Sequence, residues 1–276
     1  MYSWAEDLFR YDWGLLMKRI KLTVAYDGTN YCGWQIQPNG NTIESVLDKG
    51  IKCVTGEDVH VIGASRTDAG VSALGNVAVF DTESMIPGDR FAYAINQHLP
   101  EDVSVVDSCE VSPDFHPRHC NTVKTYEYKI VSSRFPVPQL RNSAWNVPYS
   151  LDVDKMRQAA QYLVGEHDFK SFACVRTSAE TTIRTIFSVE IEKTPFNTKS
   201  SHLADSYVYV IRVTGNGFLY NMVRIIAGTL MQVGKGQLQP QEIKEMLDAK
   251  DRTAAGQTAP PQGLTLVNIY FEESEM

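Results

Sequence analysis

Hydrophobic and polar positions alternate in blocks that predict interleaved strands and helices. Ile20, Leu22 and Val24 alternate with more polar neighbours, which is the period of a strand with one buried face. Met222 and Ile226 belong instead to an apolar set with helical spacing. The same patterns predict further strands at 59–63, 76–80, 125–131, 183–191, 207–213 and 266–271, and helices at 43–54, 91–98, 152–164, 222–233 and from Pro240 onward.

Short polar motifs mark where two of these helices begin and end. Asn41 followed by Glu44 has the spacing of a capping box, and Gly56 can stop the helix that follows. Asp152 is a suitable cap for the third helix, and Gly165 lies past its end. These residues set the limits of the first and third predicted helices.

The order of strands and helices begins again after a polar, proline-containing stretch at 112–117. We therefore predict an α+β protein of two similar halves, each a mainly antiparallel sheet backed by helices. The halves are predicted at residues 17–112 and 113–276. Residues 1–16 precede Met17 and the first strand, and we interpret them as an extension without a role in the fold.

Composition is that of an ordinary soluble globular protein. The 276 residues are 43% hydrophobic and carry a net charge of −7 at pH 7. An acidic total argues against a general nucleic-acid coat protein, but binding follows the field of one face rather than the sum. Five scattered cysteines without a C-x-x-C motif favour a reducing compartment. Without an apolar span or a signal-peptide core, we expect a cytoplasmic protein and no membrane partner.

Asp68, in the loop between two predicted strands, is the leading candidate for chemistry. The loop contains Gly70 and Gly75, and Arg66 lies two residues before Asp68. A nearby cation holds a carboxylate in its ionised form, in which it can act as a base or a nucleophile. The alternative is that Asp68 caps a turn, as many loop aspartates do. Spacing alone leaves both interpretations open.

An ordered series of motifs runs along nearly the whole chain, from about residue 20 to residue 271. Its longest member is Arg66-Thr67-Asp68-Ala69-Gly70-Val71, followed by Ala73-Leu74-Gly75. The others are Tyr26-Asp27-Gly28, Gly33-Trp34-Gln35, Asp114-Phe115-His116, Lys124-Thr125-Tyr126-Glu127-Tyr128, Gly165-Glu166-His167-Asp168-Phe169, Phe218-Leu219-Tyr220-Asn221-Met222-Val223-Arg224 and Gly263-Leu264. This series resembles the tRNA pseudouridine synthase A family, whose active-site loop is similar to the longest motif.

The resemblance implies a reaction in which the N1–C1′ bond of uridine breaks and the base rejoins the ribose through C5. No metal or cofactor is expected. Asp68 would be the catalytic nucleophile, attacking C6 of the uracil or C1′ of the ribose. Tyr126 would stack on the flipped uracil, Arg224 would keep Asp68 ionised, and Arg66 would contact RNA or hold the displaced position open. Without the resemblance, Tyr126 is an ordinary buried aromatic and Arg224 a side chain that extends to solvent.

The resemblance also implies tRNA as the substrate, at positions 38, 39 and 40 of the anticodon stem-loop. It implies a homodimer and an RNA-binding active-site cleft between the two halves. The target base must leave its stack at a cost of about a few kcal/mol, which RNA contacts must offset. Candidates for those contacts are Lys18, Arg19, Lys21, Trp34, Gln35, Arg118, His119 and Lys124. Ser65 and Ser72 stand where many bacterial members carry Gly and His, which leaves the exact target positions open.

Other functions are compatible with parts of the sequence. The alternatives are an RNA-binding protein without catalysis, or a pseudouridine synthase acting on other RNA positions. A non-catalytic protein would not need Asp68, Tyr126 and Arg224 together. Asp27 begins a short motif similar to that of aspartic proteases, but the rest of the pattern is missing and Asp27 fits a turn. The stretch His116-Pro117-Arg118-His119-Cys120 lacks the spacing of a standard zinc motif, so no metal site is predicted.

Overall fold

One β-sheet of ten strands, backed by helices, forms the frame of the protein. The computed structural model describes residues 17–38, 40–175, 179–196, 203 and 205–272, so the predicted extension at 1–16 lies outside the described residues. The α+β class predicted from the sequence is confirmed. None of the helices in these ranges has the length and apolar character needed to cross a bilayer.

Strands and helices alternate along the chain, largely as the sequence patterns predict. The strands are β1 Lys18–Tyr26, β2 Ile62–Gly63, β3 Ser72–Thr82, β4 Val103–Val111, β5 Thr122–Ser132, β6 Trp145–Val147, β7 Gly165–Asp168, β8 Ile183–Pro195, β9 Tyr207–Gly215 and β10 Leu264–Phe271. The helices are α1 Ile43–Thr55, α2 Phe91–Asn96, α3 Val153–Gln161, α4 Met222–Gly234 and α5 Glu242–Ala249.

The last strand of the chain lies in the middle of the sheet. The strand order is β4-β1-β3-β10-β5-β9-β8-β7, with β2 beside β3 and β6 beside β5. β10 pairs in parallel with β3 and antiparallel with β5. Because β3 and β5 belong to different predicted halves, the halves share one continuous sheet instead of the separate sheets predicted for them. The similarity of the halves and their boundary stay predictions.

The two clearest sequence patterns are confirmed by burial. Ile20, Leu22 and Val24 of β1 are fully buried, as their alternation with more polar neighbours predicts. Ile226 and Leu230 are fully buried in α4, whose apolar residues surround nearly the whole helix. A helix that is apolar on most sides lies inside a protein, and α4 accordingly packs against both α3 and β5.

Strands at the sheet's margins escaped prediction because their hydrophobic residues do not alternate regularly. β4 is an edge strand in which Val103, Val105 and Ser108 are buried while Val106 is exposed. A β-bulge where β1 pairs with β4 interrupts the two-residue period. The short strands β6 and β7 were likewise missed, and the strand predicted at 59–63 is reduced to the two residues of β2.

The predicted capping box of α1 is wrong by one residue. Thr42 rather than Asn41 caps the helix, and Ser45 supplies the reciprocal side-chain hydrogen bond. Glu44 has a different role, because its carboxylate accepts a hydrogen bond from the indole Nε1 of Trp34 at 2.9 Å. The sequence pattern located the start of the helix but not which polar side chains close it.

A close approach between α4 and the segment after α5 fixes the position of Arg224. A Cβ atom at Gly228 would lie 1.9 Å from the carbonyl oxygen of Gln257, so only glycine lets the segment pass. Two residues further on, the Ala259 N–H donates to the Arg224 carbonyl at 3.1 Å. The Ala259 carbonyl accepts from Arg224 Nε at 2.8 Å.

We expect Gly228→Ala to destabilise the protein by about 1–3 kcal/mol, because the new methyl group would clash with a backbone carbonyl that cannot move alone. The predicted change in stability is opposite in sign to the usual one, since replacement of glycine by alanine inside a helix ordinarily stabilises a protein by about 0.5–1 kcal/mol. Urea unfolding followed by circular dichroism measures the difference. Gly50→Ala is the control, because its Cβ would meet the end of the flexible Leu99 side chain at 3.0 Å. Equal stability changes in the two variants would contradict this account of Gly228.

Candidate active site

Asp68 lies in a tight turn on the loop between β2 and β3. The turn is closed by the Val71 N–H, which donates to the Asp68 carbonyl at 3.1 Å, and Gly70 adopts a φ of 76°. Gly70 thus takes a left-handed conformation that most side chains resist. The Asp68 side chain is 21% exposed and lines the main cleft of the protein.

The segment that follows β1 holds this loop by its backbone. The Trp34 N–H donates to the Thr67 carbonyl at 3.0 Å. A Cβ atom at Gly33, whose φ is 96°, would lie 2.7 Å from the same carbonyl oxygen. Gly33 therefore lets the two segments approach closely enough for the hydrogen bond to form. The backbone of Thr67, the residue before Asp68, is therefore held in place, while the Asp68 side chain faces the cleft.

Arg224 approaches Asp68 from the first turn of α4. Its Nη1 atom lies 3.4 Å from Asp68 Oδ2, and the Arg224 side chain is only 15% exposed. The same Nη1 donates to Asn221 Oδ1 at 2.7 Å, while Nε donates to the Ala259 carbonyl at 2.8 Å. Asn221 itself has a φ of 63°, an unusual conformation for this residue at the start of a helix. The structure brings Asp68 and Arg224 within ion-pair distance, as the resemblance implied.

Burial and the ion pair have opposite effects on the pKa of Asp68. Burial raises the pKa of the carboxyl above its usual range, while the charge and hydrogen bond of Arg224 lower it, and burial is the larger effect. Arg224 therefore favours the ionised form of Asp68, as expected, but its effect on the pKa is smaller than that of burial. A carboxylate with a raised pKa is more basic than a free aspartate, which suits a base or a nucleophile.

Tyr126 projects from β5 into the same cleft and is only 7% exposed. Its hydroxyl lies 2.9 Å from Ser65 Oγ. Its ring contacts Phe218 edge to face, with centroids 5.2 Å apart. Burial raises the pKa of Tyr126 to about 12, and the charge of Asp68 acts in the same direction. The phenol therefore keeps its proton at neutral pH and can donate a hydrogen bond or stack.

A buried hydrogen-bond network below the loop was missed in the sequence. The Tyr26 hydroxyl lies 2.7 Å from Thr67 Oγ1. Asn76 Nδ2 donates to the Ser65 carbonyl at 3.0 Å and approaches the Tyr26 hydroxyl at 3.3 Å. Asn76 is fully buried, although it opens an apolar run that was predicted as a strand. A lone amide in such a run was the available sequence signal, because buried amides need hydrogen-bond partners.

The cleft has a volume of about 740 Å³ and is lined by residues from both predicted halves. The loop that contains Asp68 forms one wall, and the segment that leads into α4 forms another. Tyr220, which is 47% exposed, is an aromatic side chain of the second wall. The volume falls within the usual range of small-ligand sites, so a single nucleotide can be accommodated.

Three of the predicted RNA-contacting cations line this cleft. Arg66 is exposed, Arg118 Nε donates to the Gly63 carbonyl at 2.7 Å, and Lys124 Nζ donates to the Ala64 carbonyl at 3.1 Å. Burial, together with the smaller effects of the nearby charges of Arg118 and Arg184, lowers the pKa of Lys124 to about 8. Arg184 was not predicted as an RNA contact, because nothing in the sequence of β8 distinguishes it from an ordinary surface arginine.

Three other predicted contacts are not among the residues that line the cleft. Lys18 is eight residues before Tyr26 on β1, a separation of about 26 Å in an extended strand. Its Nζ donates to the Ile86 carbonyl at 2.5 Å, and Arg19 forms hydrogen bonds of 2.7 Å to both carboxylate oxygens of Asp81. Lys21 is half-buried on the same strand. The structure therefore does not bring this group together with Asp68.

The remaining predicted contacts differ in their exposure. Trp34 has no exposed surface, and its indole lies against Gly63 and Glu44 in the core. The indole therefore offers no exposed face to RNA in this structure, although Trp34 is among the residues of the cleft wall, and its contact with RNA stays a prediction. Gln35 is exposed and lines the cleft. His119 is exposed and stacks on the neighbouring His116.

The structure gives local explanations for two motifs that suggested other functions. Asp27 caps a short turn and accepts a hydrogen bond from the Thr29 N–H at 3.0 Å. The rings of His116 and His119 are stacked with centroids 3.9 Å apart, and Cys120 Sγ donates to the His116 carbonyl. Within the described ranges, no group of three or more His, Cys, Asp or Glu side chains is placed to hold a metal ion.

Comparison with known proteins identifies the family. A family model described as tRNA pseudouridine synthase matches residues 22–119 and 159–272. A tRNA pseudouridine synthase A from Acetivibrio thermocellus is 46% identical over 92% of this chain and 100% of its own length. Similar proteins from Ruminiclostridium cellulolyticum and Clostridium perfringens, the second named tRNA pseudouridine synthase A 2, are 47% and 45% identical over the same shares of both chains. With a family model that matches most of its length and relatives this similar, the chain belongs to the tRNA pseudouridine synthase family.

Proposed function

We propose that this enzyme converts uridine to pseudouridine in the anticodon stem-loop of tRNA, with Asp68 as the nucleophile. The observation that carries the proposal is that Asp68 and Tyr126 line one cleft while Arg224 lies within ion-pair distance of Asp68. The Asp68 carboxylate lies 3.4 Å from the Arg224 guanidinium, and the ring of Tyr126 lines the same cleft. A negative charge that is desolvated, partnered and accessible beside an aromatic ring suits attack on a stacked uracil.

The reaction requires no external reagent. Asp68 bonds to C6 of the uracil or to C1′ of the ribose, the N1–C1′ bond breaks, and the base turns while it stays in the cleft. On the C6 route, C5 bonds to C1′, C5 loses its proton, and the bond between Asp68 and C6 then breaks. On the C1′ route, C5 displaces the Asp68 carboxylate from C1′ as the new bond forms, and C5 then loses its proton. N1 ends with a proton, so that the product is an isomer of the substrate. Both points of attack are consistent with a nucleophilic carboxylate.

Tyr126 and Arg224 have separate parts in this proposal. Tyr126 stacks on the flipped uracil, and its hydroxyl assists in moving the C5 proton. Arg224 opposes the effect of burial on the pKa of Asp68 and thereby keeps part of the carboxyl ionised. Without Arg224, the buried charge of Asp68 would have no compensation.

The cations of the cleft supply the binding energy for the displaced nucleotide. Extracting a base from a stem costs about a few kcal/mol. Arg66, Arg118 and Lys124 lie where phosphates that flank the extracted nucleotide could reach them. Because they face one cleft, they create a local positive field in a protein whose net charge is −7.

The target positions and assembly are part of the proposal. We propose uridines 38, 39 and 40 of the anticodon stem-loop as targets, reached by a cytoplasmic homodimer. Support comes from the family resemblance and from relatives named tRNA pseudouridine synthase A. Neighbouring targets imply that the protein recognises the shape of the stem-loop rather than its sequence, as is common in RNA recognition.

We expect Asp68→Asn to reduce turnover by roughly a thousandfold or more while tRNA binding changes little, because the amide is not nucleophilic. Tritium release from C5-labelled uridine in tRNA transcripts measures turnover, and filter binding measures affinity. Asp27→Asn is the matched control, since Asp27 is an exposed turn cap. An Asp68→Asn enzyme with wild-type turnover would rule out the nucleophile proposed here. Transcripts with one uridine at position 38, 39 or 40 test the targets.

The rate should fall as the pH decreases, and the fall should begin above the usual range of an aspartate. The ionised carboxylate is the reactive form, and burial raises the pKa of Asp68. Arg224 lowers this pKa, so Arg224→Gln should raise it and move the acid limb of the single-turnover pH–rate profile to higher pH. Arg224→Lys retains the charge and should show a smaller displacement. An unchanged acid limb in Arg224→Gln would mean that Asp68 does not govern it.

Removal of a cleft cation should weaken tRNA binding. It should also make that binding less sensitive to salt. For Arg66→Ala, we expect the slope of log Kobs against log salt to decrease in magnitude by about 1, because one phosphate contact is lost. Lys18→Ala is the control, as Lys18 lies at the far end of β1. Filter binding at several salt concentrations measures both slopes. Equal losses in the two variants would show that RNA also covers the start of β1.

A further inference from the structure

A pair of buried hydroxyl groups connects the catalytic loop to β5. Ser65 Oγ and Tyr126 OH lie 2.9 Å apart, and both residues are buried. The reaction proposed above assigns no part to Ser65 or to this contact. The contact needs an explanation in this chain, because burial of a polar side chain is unfavourable unless a hydrogen bond is gained.

Ser65 is itself held firmly by the adjacent strand. Its carbonyl oxygen accepts a hydrogen bond from Asn76 Nδ2 at 3.0 Å. Asn76 Oδ1 in turn accepts from the Val77 N–H at 3.0 Å, and Asn76 is fully buried in β3. The backbone of Ser65 therefore cannot move without breaking a buried hydrogen bond. Its hydroxyl is a fixed point from which another group can be oriented.

The ring of Tyr126 is restrained at two places. Phe218 contacts the ring edge to face at 5.2 Å between centroids, with an interplanar angle of 83°. Ser65 restrains the hydroxyl at the opposite end of the side chain. The Phe218 contact alone resists tilting but is weakly directional, whereas the hydrogen bond also opposes displacement of the hydroxyl. Together they leave one orientation of the ring in the cleft.

We propose that Ser65 is a positioning residue, whose hydroxyl fixes the ring of Tyr126 and thereby the plane in which the uracil stacks beside Asp68. This role rests on the proposed function, in which Tyr126 stacks on the target base. It assigns Ser65 to the chemical step rather than to tRNA affinity, because both members of the pair are buried and uncharged and so do not attract a phosphate. A small error in the plane of the base reduces the fraction of bound substrate that is aligned for attack.

A double-mutant cycle tests this role. Ser65→Ala should lower kcat by roughly tenfold, the effect expected when one buried hydrogen bond is lost. Tyr126→Phe should lower kcat at least as much, because it also removes the hydroxyl that assists in moving the C5 proton. The double variant should be no slower than Tyr126→Phe, because both substitutions remove the same contact. Single-turnover tritium release from saturating tRNA measures kcat. The Kd for tRNA should stay within about twofold of wild type in all three variants.

Ser72 provides the matched control, since it lies at the other end of the same loop. Its hydroxyl accepts a hydrogen bond from the Gly28 N–H at 3.1 Å and does not contact Tyr126. Any loss of kcat in Ser72→Ala should therefore multiply with that of Tyr126→Phe. If Ser65→Ala does not fold, as judged by circular dichroism, Ser65→Cys replaces it in the cycle. Cysteine keeps the side-chain volume but forms a much weaker hydrogen bond.

Four outcomes would overturn the role of Ser65. They are a multiplicative loss in the double variant, wild-type kcat in Ser65→Ala or its Cys substitute, wild-type kcat in Tyr126→Phe, and a loss that appears only in the Kd. Failure of the proposed function is separate, because it requires turnover by Asp68→Asn. If Asp68→Asn is inactive and the cycle is multiplicative, Asp68 remains the nucleophile and only the role of Ser65 is lost.

Discussion

The carboxylate of Asp68 and the guanidinium of Arg224 lie within ion-pair distance of each other, and both side chains are largely shielded from solvent. Burial raises the pKa of Asp68, and the positive charge of Arg224 opposes that increase. A carboxyl group under these two influences is more basic than a free aspartate and still has a partner for its charge. Removal of either influence would change the reactivity of the site, because a buried charge without a partner is strongly unfavourable.

The positions of Asp68 and Arg224 depend on contacts made by parts of the chain that are distant in sequence. On one side, Gly33 permits the backbone contact that fixes Thr67, the residue before Asp68. On the other, Gly228 lets the segment containing Ala259 reach α4, where it binds both the backbone and the side chain of Arg224. Both partners of the ion pair are therefore positioned by places where backbones approach more closely than a side chain would allow.

Repulsion among the cations near the cleft is a second electrostatic feature of the site. Burial is the main cause of the lowered pKa of Lys124, and the charges of Arg118 and Arg184 lower it as well, so positive charge is concentrated around the cleft at some cost in free energy. An anionic ligand relieves that repulsion, which suits a polyanion such as RNA. The net charge of −7 did not indicate this field, because it sums over the whole surface while the ligand meets one cleft.

The sequence by itself determined the features that depend on local period and motif. The alternation in β1, the apolar helix α4 and the loop of Asp68 were all predicted, because burial of one face leaves its period in the chain. Only the tertiary structure decided which segments meet. Asp68 and Arg224 are 156 residues apart, β10 lies between strands of both predicted halves, and Trp34 is buried although its motif suggested RNA contact. Local patterns record that a residue is buried, but its partner depends on strand order and register, which no short segment of the sequence contains.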